Sequence, residues 1–437
     1  MTSTPPSAEP DLTTRIARDL IRFDTSNFGE GRSNGETEAA EYLAAHLERL
    51  GLTVQSFDAA PRRTSIVTRV EGRNRSKPAL VVHGHTDVVP AIAEDWSVDP
   101  FGGAIADGML WGRGAVDMKN MDAMIVTALD RIVSAGQQPE RDLVVAFFAD
   151  EENGGVFGSH HLVTEHPELF SGATEAISEV GGYSIDLDGK RAYLVQTGEK
   201  ALIWLKLVAR GTAGHGSQIN RDNAVTRLAT AVAAIGAREW PMHLTATTRQ
   251  LLDRVADLLG KDAQVLSPDE IALATGTASR FITATLRTTT NPTGLTAGYK
   301  HNVIPDRAEA MIDVRVLPGE EDAVLEEIRA IVGEDIEIVI SHRDIGLETT
   351  FDGELVDAMV GSLQRHDPGA EVLPYLLSGG TDNKALSLLG IRGFGFAPLQ
   401  LPPTLDFPAM FHGVDERVPL DALGFGSDVL TDLLLRY

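Results

Sequence analysis

The sequence predicts an α/β fold in which an open, mostly parallel sheet forms one domain and a ferredoxin-like α+β domain is inserted into it. Three observations predict this. Short continuous apolar runs at Ala79 to Val82, Leu143 to Ala149 and Ile391 to Ala397 lie among helical patterns, as strands buried on both faces do. The middle of the chain reads in the order βαββαβ, the split ferredoxin-like arrangement. Apolar α/β runs then resume, so that unit interrupts the first domain. The expected division is 1–197 with 344–437 for the sheet domain, and 198–343 for the insert.

Taken in order, the polar and acidic start from Met1 to Asp19 lacks the basic end and apolar stretch of a secretory signal and reads as a short disordered lead-in. From Glu36 to Leu50, the residues Ala39, Ala40, Leu43, Leu47 and Leu50 recur at helical spacing and Gly51 supplies a stop, which makes an amphipathic helix. In the insert, Ala201 to Ala209 reads as a strand, Asp222 to Ala237 as a helix with Val225, Leu228, Val232 and Ile235 inward, and Ser279 to Arg287 as a second strand. Ala308 to Val316 alternates with Ala310, Ile312 and Val314 on one face, Glu320 to Val332 is helical, and Ile336 to Ile340 is the last strand. Glu239 to Ala278 exceeds the minimal motif and receives no element.

With 43% hydrophobic and 23% charged residues the composition is that of a soluble globular protein. No apolar run approaches the roughly 20 residues of a membrane span. The absence of cysteine excludes disulfides, thiolate metal sites and cysteine nucleophiles, so a metal would be held by His, Asp and Glu. A net charge of -25 repels phosphate backbones and anionic lipid, which argues against nucleic acid or membrane partners. A cytoplasmic location is expected.

Each buried run leads into polar residues, as when a site lies beyond the carboxyl ends of the strands. After the first run comes His83-Gly84-His85-Thr86-Asp87. In an extended segment residues i and i+2 face the same way, so His85 can bind a metal while Asp87 accepts its other ring hydrogen; by itself the pattern also suits a packed histidine. His83 shares the direction and is expected to pack. The glycines of Trp111-Gly112-Arg113-Gly114-Ala115-Val116-Asp117 lack phosphate-loop spacing; they let the backbone turn tightly and present Asp117, whose two oxygens can bridge two cations. The second run ends in Asp150-Glu151-Glu152, negative charge at a sheet end that is costly unless cations compensate it. Adjacent acids also allow one to bind metal while the other holds a water as general base. Glu179 and His412 carry no signal alone.

In this order His85-Thr86-Asp87-Val88-Val89-Pro90, Gly112-Arg113-Gly114 with Asp117-Met118-Lys119, Glu151-Glu152, Glu179-Val180-Gly181-Gly182 and His412-Gly413 resemble the di-zinc peptidase and aminoacylase family. That family includes glutamate carboxypeptidase, acetylornithine deacetylase, succinyl-diaminopimelate desuccinylase and aminoacylase. The resemblance runs from about Leu12 to the C-terminus, and the insert adds Gly214-His215-Gly216-Ser217, His301-Asn302-Val303-Ile304-Pro305 and Asp313-Val314-Arg315.

The resemblance implies two zinc ions per chain, although cobalt or manganese also suits an oxygen and imidazole set. His85 and Glu179 would hold one, Glu152 and His412 the other, with Asp117 bridging, Asp87 supporting His85 and Glu151 as general base. Ions about 3.5 to 4 Å apart acidify a shared water and polarise the scissile carbonyl. The insert would be a lid and dimerisation domain of a homodimer, with His215 reaching the partner subunit's site and Asn302 and Arg315 holding substrate. Asn120 and Asn383 depart from the family pattern, which has glycine and a small residue there. Glutamate at Glu179 resembles the carboxypeptidase and deacylase branch. The expected function is therefore hydrolysis of an amide in a small N-acyl amino acid or at a C-terminal peptide bond. A broad di- or aminopeptidase is the enzymatic alternative, and a non-catalytic binding protein that keeps the fold is the alternative of another class.

Overall fold

The computed structural model describes residues 10–262 and 265–437. The α/β fold centres on a ten-stranded sheet. Strands Ala173–Ser178, Ala79–His85 and Leu143–Phe148 are adjacent and parallel, and Arg392–Gly395 runs parallel beside the first of them. The sheet is mixed because tight hairpins at its flanks, Val54–Ala60 with Arg63–Val70 and Tyr183–Leu187 with Lys190–Glu199, are antiparallel.

Side chains of the central strands alternate between two cores. Leu80, Val82, Leu143, Val145 and Phe147 pack with helices Leu12–Ile21, Thr37–Arg49, Lys119–Ser134 and Leu420–Arg436. Ala79, Val81, Val144, Ala146 and Phe148 pack on the other face with Leu162, Val163, Ala385 and Leu386. Burial on both faces is why these strands are written as unbroken apolar runs.

The inserted sheet has the order Thr289–Ala297, Arg307–Val316, Ala201–Arg210, Ile336–Arg343, all antiparallel. Helices Ala224–Gly236 and Glu321–Val332 bury Leu228, Ile235, Leu325 and Ile328 against Ile203, Leu205, Ile312 and Val314. Asn223 caps the first helix by accepting from the amides of Val225 and Thr226. This is the βαββαβ order read from the sequence.

Two local readings are corrected. Leu12–Ile21 is a helix rather than part of a disordered lead-in: Asp11 accepts from the Thr14 amide at 2.8 Å as N-cap, and Ile16, Ala17, Leu20 and Ile21 are buried. Residues 1–9 lie outside the described residues. Ser279–Ala284 is a helix, and the second strand of the inserted sheet is Thr289–Ala297. The β-branched and aromatic content there favours a strand, but Ile282 and Leu286, four apart, bury together in the large core.

The segment without a sequence reading also belongs to that core. Helices Ala246–Leu258 and Pro268–Leu273 place Leu251, Leu252, Val255 and Ile271 in it, and the first packs on strand Glu371–Leu377. The chain thus leaves the inserted sheet after its first helix, covers the large sheet and returns at Thr289. Among the described residues no helix is long and apolar enough to cross a membrane.

Candidate active site

Three neighbouring parallel strands deliver acidic and imidazole groups to one edge of the sheet. His85 ends Ala79–His85, Glu179 follows Ala173–Ser178, and Asp150 to Glu152 follow Leu143–Phe148. Asp117 precedes helix Lys119–Ser134, and His412 lies in the loop after the short turn Phe407–Ala409. His85 Nε2 is 3.1 Å from Asp117 Oδ1, 3.5 Å from Glu179 Oε2 and 3.9 Å from Glu151 Oε2. His412 Nε2 is 3.3 Å from Asp117 Oδ2 and 3.1 Å from Glu152 Oε2. Two donor groups result, His85 with Asp117 and Glu179, and Asp117 with Glu152 and His412; within each, the donor atoms lie within 4.8 Å of one another.

The electrostatics explain what such a set can hold. Burial raises Glu179 to about 8 and lifts Glu151 well above the ordinary carboxyl range, the Glu179 charge adding to the second. Glu152 is raised by burial and by Asp117. Burial opposes charge on His85, but the Glu179 charge and hydrogen bonds to Asp117 and Asp87 hold its pKa well above normal. The His85 Nδ1 donates to the Asp87 backbone carbonyl at 3.0 Å, which leaves Nε2 facing the carboxylate oxygens, where it holds a proton or, in its place, a cation. Oxygens and lone pairs converging in this way repel unless a proton or a cation lies between them. Divalent cations fit that donor set.

The same loops contain left-handed backbone at non-glycine residues. Asp150, Val180 and His412 have φ of 68°, 50° and 57°, a region that non-glycine residues rarely adopt and that is concentrated at functional sites.

The supporting contacts differ from the sequence reading. The Asp87 carboxylate is 3.5 Å from His85 Nδ1, the nearer contact being its backbone carbonyl. Its oxygens also accept from the amides of Glu151 at 3.1 Å and Glu152 at 3.2 Å and from Asn27 Nδ2 at 2.9 Å. Asp87 therefore fixes the acid pair, which lies in the turn Glu151–Asn153 and not along a strand. Asp150 points elsewhere, to Arg63 at 2.8 Å.

Sequence reasoning missed Glu416. This fully buried carboxylate accepts from Arg113 Nη1 at 2.8 Å and from the amides of Gly114, Val116 and Asp117 at 3.0, 2.7 and 3.1 Å. It gathers the glycine-rich loop so that Asp117 faces both histidines. The signal was an acid four residues after His412 in a chain whose glycine-rich loop carries an otherwise unexplained arginine.

Asp117, Glu151, Glu152, Glu179 and His412 line a cleft of about 800 Å³, with Trp204, Asp313, Arg315 and His342 contributed by the inserted sheet. Arg315 thus lies in the cleft. His215 and Asn302 do not line it: both are exposed, the Gly216 amide donates to the Asn302 carbonyl at 3.0 Å, and His215 Nδ1 meets Ser217 Oγ at 2.8 Å. His83 packs, its pKa lowered by burial to about 4, and its Nε2 is 3.0 Å from Asn383 Oδ1. Asn120 is buried in the wall of a small cavity beside Glu179 and Val180.

Comparison with known proteins follows the same lines. The chain is 28% identical to aminoacylase-1 of Sus scrofa, covering 91% of this chain and 89% of that protein. It is also 28% identical to the Dictyostelium discoideum protein named probable carboxypeptidase S-like 2, covering 94% and 82%. Its fold matches that of an M20 family metallo-carboxypeptidase from Sulfolobus solfataricus with a TM-score of 0.76 at 18% identity, covering 97% of this chain and 98% of the other. Residues 81–436 match Peptidase family M20/M25/M40, and the chain belongs to that family of hydrolases acting on amide or peptide bonds.

Proposed function

We propose that this chain hydrolyses the amide of small N-acyl amino acids, or a C-terminal peptide bond, with two divalent ions that family likeness makes zinc. The observation that carries the reading is Asp117, whose two oxygens face His85 and His412 separately. His85 and Glu179 would complete one ion's ligands, and Glu152 and His412 the other's. Ions bound there would lower the pKa of a water and polarise the scissile carbonyl. Glu151, 3.9 Å from His85 Nε2 and with its pKa raised by burial, would take the water's proton and pass it to the leaving nitrogen. Asp87 keeps that carboxylate in place through the Glu151 amide. Arg315 offers a planar fork for a substrate carboxylate, which favours acyl amino acids over substrates bound by a free amine.

The same reading makes the inserted part of residues 198–343, apart from the segment 246–286 that packs in the large core, a lid and dimerisation domain, with His215 reaching the partner subunit's cleft and Asn302 holding substrate there. The exposure of both residues, and of Ile219 at 93% and Tyr299 at 84% near them, supports it. Elemental analysis of purified protein, followed by assay of a panel of N-acyl amino acids and dipeptides with zinc, cobalt or manganese, tests the proposal. Two ions per chain, activity lost to chelators, and preference for substrates with a free carboxylate are expected. A fully active metal-free protein would overturn it.

A further inference from the structure

We infer that the segment between the lid's first helix and its second strand is a specificity element, and that Phe281 and Ala284 form an apolar wall that takes a bulky apolar group of the substrate. The inference rests on the amide-hydrolase reading and names its substrate class: an acyl amino acid with a long aliphatic or aromatic group, on the acyl side or as the side chain.

The wall begins at the ion site. Phe281 is half-buried and meets Phe411 edge-on, ring centroids 5.6 Å apart, and Phe411 meets Phe407 at 5.2 Å. Phe411 immediately precedes His412, and Val180, another lining residue, immediately follows Glu179. Ala284 and Leu377 line the same cleft. These side chains have no group that hydrogen-bonds, so they recognise a ligand only by removing apolar surface from water.

The wall is also held rigidly. Lys200 Nζ donates to the carbonyls of Ala284 at 2.5 Å and Arg287 at 2.6 Å, and Lys200 is buried in the link from strand Lys190–Glu199 to strand Ala201–Arg210. Ile282 and Leu286 anchor the other side of the turn in the large core. A preformed apolar surface loses little entropy on binding, so chain length on the ligand translates into affinity. Each methylene fully buried is worth about a fourfold gain.

The test uses the metal-loaded full-length protein and two readouts. Equilibrium binding of straight-chain carboxylates from acetate to dodecanoate reads the wall without turnover. The ratio kcat/KM is measured in two series: N-acylglycines of increasing acyl length, and N-acetyl amino acids from alanine to phenylalanine. In the unaltered protein carboxylate affinity climbs with length, and kcat/KM climbs in one series, which identifies the side of the scissile bond that uses the wall. Phe281→Asp flattens both slopes, Phe281→Leu restores them, and Leu273→Ala, at an exposed position of the same segment, leaves them unchanged. Flat slopes in the unaltered protein, or slopes unchanged in a folded Phe281→Asp, overturn the inference. Absence of hydrolysis in every series while carboxylate affinity still climbs with length would instead count against the amide-hydrolase reading alone.

Discussion

Asp313 grips Arg315 by two of its donors: Nε donates to Oδ1 at 2.7 Å and Nη2 to Oδ2 at 3.0 Å, from two residues further along the same strand. Trp204, directly opposite Asp313 on the neighbouring strand, donates to the same carboxylate at 3.3 Å. The guanidinium that would meet a substrate carboxylate is thereby fixed, with Nη1 and one hydrogen of Nη2 left to bind.

Loss of that grip should weaken ground-state and transition-state binding alike. Asp313→Asn is expected to raise KM for acyl amino acids by roughly tenfold with kcat nearly unchanged, and Arg315→Lys, which removes the fork, by more. Steady-state kinetics on one acyl amino acid decide it. A fall in kcat at constant KM would show that Arg315 acts elsewhere than on the bound carboxylate.

The acid pair should divide chemistry from metal binding. Glu151→Gln keeps the shape and removes the proton acceptor, so turnover should fall by about 10²- to 10⁴-fold while metal content stays near normal. Glu152→Gln, whose oxygen faces His412 at 3.1 Å, should lose one ion. Metal analysis beside single-substrate kinetics separates them. The opposite pattern would exchange the two roles.

Glu416 should matter to both folding and the ions. Glu416→Gln leaves the buried Arg113 without its counter-charge and turns an amide toward backbone donors, costing about 3–5 kcal/mol of stability. Because the Asp117 amide bonds this carboxylate, the bridging ligand should lose its placement, and ion content should fall with it. Denaturant unfolding and elemental analysis check the two halves. A variant equally stable and still holding two ions would show that Glu416 is dispensable to the loop.

How much was legible follows from where each signal lived. The central strands and the lid order could be read because burial on both faces, or on one, writes itself into the period of Leu80 to Val82 and Ala310 to Val314. His85, Asp117 and Glu152 stood out because each ends or follows a strand or a glycine-rich turn, whereas Glu179 and His412 carried no signal alone and entered only through the family resemblance. Ile282 and Leu286 could not be read, because a β-like local composition was overridden by packing against a core drawn from the rest of the chain. Glu416 lay hidden for a related reason: its partners Arg113 and Gly114 are some 300 residues away, and only the fold makes them neighbours. Asp87 was placed beside His85, where its backbone carbonyl makes the nearer contact, and its carboxylate has the further task of holding the Glu151 and Glu152 amides.

Lys200 gives a pH test outside the ion site. Burial lowers its pKa from 10.5 to about 7, and a neutral amine still has hydrogens for the Ala284 and Arg287 carbonyls. Between those values the unfolded chain holds a proton that the folded chain has released, so stability rises with pH. The contribution is complete above 10.5 and lost once pH falls to about 7. Urea unfolding at pH 7 and pH 10 should therefore show the unaltered protein gaining on Lys200→Met at the higher pH. A pH-independent difference would mean that Lys200 stays charged in the folded state.

The last prediction concerns assembly. His215 is exposed on the lid, outside the cleft that its own chain forms, yet it lies beside Asn302 in a short ladder of Gly214–His215 with Val303–Ile304. Strands Thr289–Ala297 and Ile336–Arg343 are the open edges of the lid sheet, and an open edge is a pairing surface that a two-fold dimer uses. If the partner subunit's cleft is completed by His215, then His215→Ala and Glu151→Gln homodimers should both be impaired. Mixing them should restore activity, because one cleft of each exchanged dimer has an intact Glu151 and receives an intact His215. Light scattering establishes the dimer, and tagged subunits establish exchange. Recovery toward a quarter of the unaltered activity is expected at equal mixing, since about half the dimers are mixed and each carries one complete site. No recovery despite demonstrated exchange would confine His215 to its own chain.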